Sequence, residues 1–226
     1  MTSSRTTWIA LFDWDGVVID SSLLHEKSWE WMASAYDLPL PEGHFRRGFG
    51  MKNERIIPEV LGWAHDAGAI TRLAASKEAR YRELVAEMGL DPLPGVRVWL
   101  ERLHASGIPC AIASSTERAN IDCVLDRIGL RGYFSAIVSG DAVTHGKPAP
   151  DIFLKAAEAL GGGAALVFED ALVGIEAARR AGMAVVAVTT THPAHELKTA
   201  DRVVDRLDEL TVQEAECLAI GHGRGR

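Results

Sequence analysis

The sequence predicts an α/β fold, a parallel sheet core with helices on both faces plus an inserted all-helical domain. Three observations predict it. Five short apolar runs recur along the 226 residues, each ending in polar side chains. Segments with helical periodicity alternate with them, the signature of a parallel sheet. One long stretch, between the first and second runs, has helical spacing and no convincing strand.

The first run is Trp8–Phe12 (WIALF), which turns polar at Asp13-Trp14-Asp15-Gly16. IPCAIA at 108–113 ends in Ser114-Ser115-Thr116, and AIVSG at 136–140 ends in Gly140-Asp141. ALVF at 165–168 ends in Glu169-Asp170, and MAVVAV at 183–188 ends in a threonine run. Between these, Ile121, Val124, Leu125 and Ile128 share one helix face, with Ser114-x-x-Glu117 as a capping box and Gly129 as the stop. Ile152, Ala156 and Leu160 mark a second helix, opened by Pro150 and closed by Gly161, and a third runs from about Ala171 to Gly182. The insert covers 21–92 and divides the core into 1–20 and 93–226. Its first helix carries His25, Trp29, Met32 and Tyr36 on one face, and its last carries Leu73, Lys77, Tyr81, Leu84 and Met88. In parallel sheets ligands bind beyond the carboxyl ends of the strands, which is where carboxylates and hydroxyls accumulate here.

Composition narrows the function. Hydrophobic content of 47% with 24% charged residues describes an ordinary globular protein. A net charge of -7 argues against nucleic acid or an anionic membrane as partner. An anionic substrate would therefore need positive charge supplied locally, by particular lysines or a metal. Three cysteines, odd in number and without CxxC spacing, suit free thiols in a reducing cytoplasm. The five-residue apolar stretch before Asp13 is too short for a signal-peptide core, and no run approaches membrane-spanning length.

Each strand end has a chemical and a bland reading. Side chains at i and i+2 of an extended segment point the same way, so Asp13 and Asp15 can face one site. Paired carboxylates suit a nucleophile with an acid/base, or metal binding. A solvated Asp-Gly turn accounts equally well for the pair on its own. Ser114, Ser115 and Thr116 stand at a helix start, an anion site or a plain N-cap. Lys147, in HGKPAP, could neutralise a phosphate or a nucleophilic aspartate, or simply be solvated. Glu169-Asp170 could cap the following helix. Their joint order, each just past a different strand of one sheet, is hard to explain by capping alone.

FDWDGVVIDS (12–21), AIASST (111–116), GKPAPDIF (146–153) and FEDALVGIEAARRAGM (168–183) resemble the four motifs of the haloacid dehalogenase superfamily, in the same order and with a helical insert between the first two. The spacing is similar to the phosphatase and beta-phosphoglucomutase-like branch. The resemblance implies a Rossmann-like catalytic core with a helical cap. It also implies that Asp13 attacks phosphorus to form an aspartyl-phosphate, while Asp15 is the acid/base. Mg2+ would be held by Asp13, the Asp15 carbonyl and Asp170, with Glu169 a ligand or a neighbour of the ligands. Ser114 would donate to a phosphoryl oxygen, and Lys147 would tie that group to Asp13. One departure is visible: Ala171 follows Asp170 where serine is frequent in this branch.

The same resemblance ranks the reactions. Asp15 excludes the superfamily dehalogenases, which lack a second aspartate. It also argues against a phosphonoacetaldehyde hydrolase-like enzyme, which carries alanine there. Ser21, His25, Trp29 and Lys77 occupy positions similar to those of beta-phosphoglucomutase. Lys77 interrupts an apolar stripe, either snorkelling or reaching the substrate, and His25 is a relay or a packed histidine. Asn53, beside Lys52, falls where the mutase places an arginine for a second phosphate. The expectation is therefore a phosphatase of a small sugar or polyol phosphate, with His25, Lys52, Asn53, Lys77, Ser115 and Thr116 as substrate-binding candidates. A mutase is the alternative, and a catalytically silent binding homologue a remote one. Nucleic acid and membrane are not expected as partners, and a monomer or weak homodimer is.

Overall fold

The structure, a computed structural model, describes residues 8–48 and 51–222. Two compact units divide the chain: residues 1–20 with 91–226, and residues 21–90.

The larger unit is built on six parallel strands: β1 Trp8–Phe12, β2 Cys110–Ala113, β3 Ala136–Val138, β4 Ala164–Glu169, β5 Ala184–Val188 and β6 Arg202–Val204. Their order is β3-β2-β1-β4-β5-β6. β1 is central because the chain winds outward from it in one direction through β2 and β3, and in the other through β4, β5 and β6. The gap this reversal leaves beyond the ends of β1 and β4 is where such sheets hold ligands. Every residue of β1, β2 and β5 is buried, which is why these strands read as unbroken apolar runs rather than alternating ones.

The sixth strand was not among the five expected. β6 is only three residues long, begins at exposed Arg202 and pairs on one side, with β5, so it lacks the apolar run that marks a buried strand. Covering the sheet, Ile152, Phe153 and Ala156 join Ile9, Leu11, Val167 and Ile175 in one apolar cluster. Phe12 stacks on Phe168 with centroids 4.5 Å apart, and Trp99 meets Phe168 edge-on.

The smaller unit contains helices α1 Ser22–Ala35, α2 His44–Gly48, α3 Asn53–Arg55 and α4 Ala67–Met88, with a wider π-type turn over Ile56–Leu61. In the larger unit follow α5 Val96–Ala105, α6 Arg118–Ile128, α7 Asp151–Ala159, α8 Leu172–Arg180 and α9 Val212–His222. Asp66 starts α4 by accepting the Ala69 N–H at 2.8 Å, which satisfies one of the orphan donors of a helix start. Trp29, Ile56, Ile57, Val60, Leu61 and Ala74 form the small unit's core. Tyr36 and Met88, which share those helix faces by spacing, are exposed where α1 and α4 end. None of the helices among the described residues is long and apolar enough to cross a membrane.

Candidate active site

The end of β1 positions the first carboxylate. The Asp13 N–H still donates to the Phe168 carbonyl at 2.9 Å, as a sixth ladder residue would. Beyond it the chain does not stay extended. Val18 and Ile19 N–H groups both fold back to the Trp14 carbonyl, and the Gly16 N–H reaches the Ile19 carbonyl at 2.7 Å. This turn needs φ +79° at Gly16, where a Cβ would overlap the Asp170 carboxylate. The two aspartates consequently meet different partners. Asp13 Oδ1 lies 2.9 Å from Lys147 Nζ, whereas Asp15 Oδ2 accepts a hydrogen bond from the Thr116 hydroxyl.

Lys147 donates a second time, to Glu169 Oε1 at 2.5 Å. Its ammonium also lies 5.1 Å from the Phe153 ring centroid. The other Glu169 oxygen accepts the N–H groups of Asp170 and Ala171, at 2.8 and 2.7 Å. Both oxygens of this fully buried carboxylate are thus engaged at the entry to α8. Gly174, one turn later, leaves the room it needs, since a Cβ there would overlap it. Oxygens of Asp13, Glu169 and Asp170 lie within 4.8 Å of one another. An all-oxygen set of carboxylates is what a hard divalent cation takes.

The electrostatics agree with that donor set. Burial raises the Asp13 carboxyl to about 7, with Lys147 opposing and the Glu169 charge adding to the rise. Asp170 is also pushed up to about 7, by burial and then by the Asp13 charge. Burial alone would push the Lys147 ammonium down, but the charges of Asp13 and Glu169 outweigh it and push it up. One cation therefore serves three carboxylates, and the pocket is short of positive charge.

Ser114 is buried, and its N–H donates to the Val138 carbonyl at 3.0 Å. The expected capping box is not formed. α6 begins at Arg118, no side chain of Glu117 caps it, and the Ser114 hydroxyl accepts from the Thr116 N–H at 3.1 Å. Asp141 takes the capping part by accepting the Arg118 N–H at 3.3 Å. Position 114 is therefore drawn into the turn after β2, beside half-buried Ser115 and Thr116.

The remaining candidates lie in the smaller unit. Lys77 Nζ donates to His25 Nδ1 at 2.6 Å and to Glu78 Oε1 at 2.8 Å. Since an ammonium only donates, Nδ1 accepts and the imidazole proton sits on Nε2. Asn53 Nδ2 donates to the same Glu78 oxygen at 2.6 Å. His25 stacks on Tyr81 with centroids 4.1 Å apart. His25, Asn53 and Lys77 thus form one cluster, whereas half-buried Lys52 precedes α3 next to Asn53. Sequence reasoning missed Glu78, the acid at the centre of this cluster. Burial pushes it up, but the Lys77 charge and the hydrogen bonds from Asn53 and Lys77 oppose that, and the carboxyl lies at about 2.

Two more residues escaped notice. Of the threonines after β5, Thr191 donates to Asp170 Oδ2 and Thr190 to the Gly16 carbonyl. Their only signal in the sequence is three consecutive hydroxyls at a strand end.

A family model for haloacid dehalogenase-like hydrolases matches residues 9–182. The chain belongs to that family. It is 37% identical over 218 residues to the chloroplastic 5-amino-6-(5-phospho-D-ribitylamino)uracil phosphatase of Arabidopsis thaliana, a match that covers 94% of this chain and 58% of that protein. It is 32% identical over 214 residues to the beta-phosphoglucomutase of Bacillus subtilis, covering 90% of this chain and 91% of that one. Among solved structures, a HAD hydrolase of family IA, variant 3, from Entamoeba histolytica superposes with a TM-score of 0.84 at 29% identity, covering 94% and 99% of the two chains. The Rossmann-like sheet is thus the family's fold.

Proposed function

We propose that this family member is a magnesium-dependent phosphatase of a sugar or polyol phosphate, acting through an aspartyl-phosphate on Asp13. More broadly, it is a phosphoric monoester hydrolase acting on phosphorylated small molecules. The observation that carries the finer reading is Lys147, which bridges Asp13 Oδ1 and Glu169 Oε1 at the switch point of the sheet. An anionic nucleophile must approach an anionic phosphate, and a buried ammonium beside it cancels part of the repulsion.

In this reading an Asp13 oxygen attacks phosphorus in line and the bond to the leaving oxygen breaks. Asp15 gives that oxygen a proton, then takes one from the water that attacks the aspartyl-phosphate. Phosphate leaves and Asp13 is restored. Lys147 opposes the effect of burial on Asp13 and so favours its ionised form. The Ser114 hydroxyl, which accepts from the Thr116 N–H and keeps its own proton, donates to a phosphoryl oxygen. Asp13, Asp170 and the main-chain carbonyl of Asp15 would hold Mg2+, which supplies the positive charge that one lysine does not. Glu169, with both oxygens engaged, orients Lys147 and the start of α8 rather than binding the ion. Free cysteines at 110, 123 and 217 suit the cytoplasm.

The phosphatase of phosphoribitylaminouracil, 37% identical, supports a polyol phosphate as substrate. The His25–Lys77 contact and the similarity to a beta-phosphoglucomutase favour a second reading, a phosphosugar mutase. Against it, Asn53 replaces the mutase's arginine and is bonded to Glu78, and the Lys77 charge is balanced by the same carboxylate. In either reading His25, Lys52, Asn53 and Lys77 select the leaving group. The test is phosphate release from an aryl phosphate with Mg2+, followed by a screen of sugar and polyol phosphates. Asp13→Asn abolishes release; retained turnover in that variant refutes the nucleophile. Glucose 6-phosphate formed from beta-glucose 1-phosphate with a bisphosphate primer would replace the phosphatase by the mutase.

A further inference from the structure

The metal-binding reading leaves one local gap. Position 171 is alanine, so the residue after Asp170 offers no hydroxyl to the carboxylate before it. Asp170 is itself almost fully buried, at 2% exposure. A buried carboxylate needs donors for the lone pairs that a cation leaves over.

The loop after β5 supplies them from a different strand. Thr189, Thr190 and Thr191 are consecutive, and each hydroxyl finds a different acceptor. Thr189 donates to Asp205 Oδ1 at 2.6 Å, at the end of β6. Thr190 donates to the Gly16 carbonyl, in the turn that carries Asp15. Thr191 donates to Asp170 Oδ2. The threonines therefore hold both elements of the proposed ion site, the Asp15–Gly16 turn and the Asp170 carboxylate. Those elements are already in close contact, because Gly16 packs against the carboxylate with no space for a Cβ.

We propose that Thr191 is a positioning residue for the metal site, its hydroxyl fixing the Asp170 carboxylate by holding one of its oxygens, with Thr190 holding the adjoining turn. The chemistry is that of an outer-shell donor. It removes the rotational freedom of a ligand and leaves a single oxygen to bind, and losing such a partner typically weakens metal affinity about 10–100-fold. This inference rests on the metal-dependent reading above.

Mg2+ alone is titrated into the purified full chain by calorimetry, and the rise in Tm with Mg2+ is recorded in parallel. Thr191→Val keeps the shape of the side chain and removes the donor. It weakens Mg2+ binding by about tenfold or more, and Thr191→Ser restores it to within about threefold. In turnover, the Mg2+ concentration for half-maximal rate rises in step with the dissociation constant, while kcat at saturating Mg2+ falls much less. Should the Thr191→Val chain not fold, Thr191→Ala removes the same donor. Unchanged Mg2+ affinity in the variant overturns the proposal, and so does a Thr191→Ser chain as weak as Thr191→Val, because then the hydroxyl is not the cause. If the unaltered chain binds no Mg2+, the metal-dependent reading itself falls and takes the inference with it.

Discussion

Glu78→Gln changes one buried charge and almost no volume, so its cost can be worked out from the cluster it sits in. Glu78 accepts from Lys77 and Asn53 and is 4% exposed. Its carboxyl lies at about 2, against an ordinary value of 4.5. A group whose folded-state pKa is depressed adds stability above its unfolded value and loses it as pH falls through the folded one. The shift of roughly 2.5 units corresponds to about 3 kcal/mol at neutral pH. Breaking a buried pair from one side costs about 3–5 kcal/mol by a separate route, because Lys77 stays buried without its counter-charge. For a chain of this size about 3 kcal/mol lowers Tm by roughly 6–12 °C. The assay is urea unfolding of both proteins from pH 8 to pH 3. The gap between them is constant down to about pH 5, then narrows to about 1.4 kcal/mol at pH 3 as the unfolded chain takes up the proton. Equal stability at pH 7, or a gap that stays constant to pH 3, refutes the reasoning.

Other substitutions test the active-site charges. Asp170→Asn raises Tm in the absence of Mg2+ at pH 8, by up to about 4 kcal/mol in stability, because ionising this buried carboxyl costs folding energy above its pKa of about 7. That gain shrinks as pH falls from 7 to 4, and saturating Mg2+ reverses it by stabilising only the unaltered chain; calorimetric melts with and without the ion check both. Gly16→Ala forces a side chain into left-handed backbone and against Asp170, so phosphate release falls by about 100-fold or more, on the order expected when reacting groups are displaced by an ångström. Lys147→Met leaves Asp13 and Glu169 buried without their shared cation. Turnover then falls by about 1000-fold at neutral pH, the scale of losing a main electrostatic stabiliser, as measured by steady-state kinetics with an aryl phosphate.

The parts of the site that could be read from sequence are those whose chemistry is carried by one residue at a strand end. Asp13 and Asp170 directly follow buried runs and Lys147 lies in a proline-flanked loop beyond β3, but their roles came from the resemblance of the four motifs rather than from position alone. β6 was not legible because an edge strand of three residues opening on an exposed arginine has no apolar pattern to show. Glu78 was hidden for a geometric reason. Adjacent helix positions normally face different ways, so a Lys-Glu neighbour pair reads as one buried and one exposed residue. Here α4 is covered on two flanks, with Lys77 meeting His25 of α1 and Glu78 meeting Asn53 of α3, and both ends of the pair are buried. The threonines were hidden by distance instead. Thr190 and Gly16 are 174 residues apart in the chain, and Thr191 and Asp170 are 21 apart. A parallel sheet gathers its strand ends at one edge, so a ligand can be recognised from its own motif while the group that orients it comes from another strand. The missing hydroxyl at position 171 illustrates the consequence. Judged within its own motif, Ala171 is a loss; judged at the edge of the sheet, β5 supplies the hydroxyl instead. Substitutions at 171 and 191 should then be coupled. Adding Ala171→Ser to the Thr191→Val background recovers part of the Mg2+ affinity, whereas Ala171→Ser alone changes it little. Strictly additive effects in that double-mutant cycle would show that the two hydroxyls do not serve the same carboxylate.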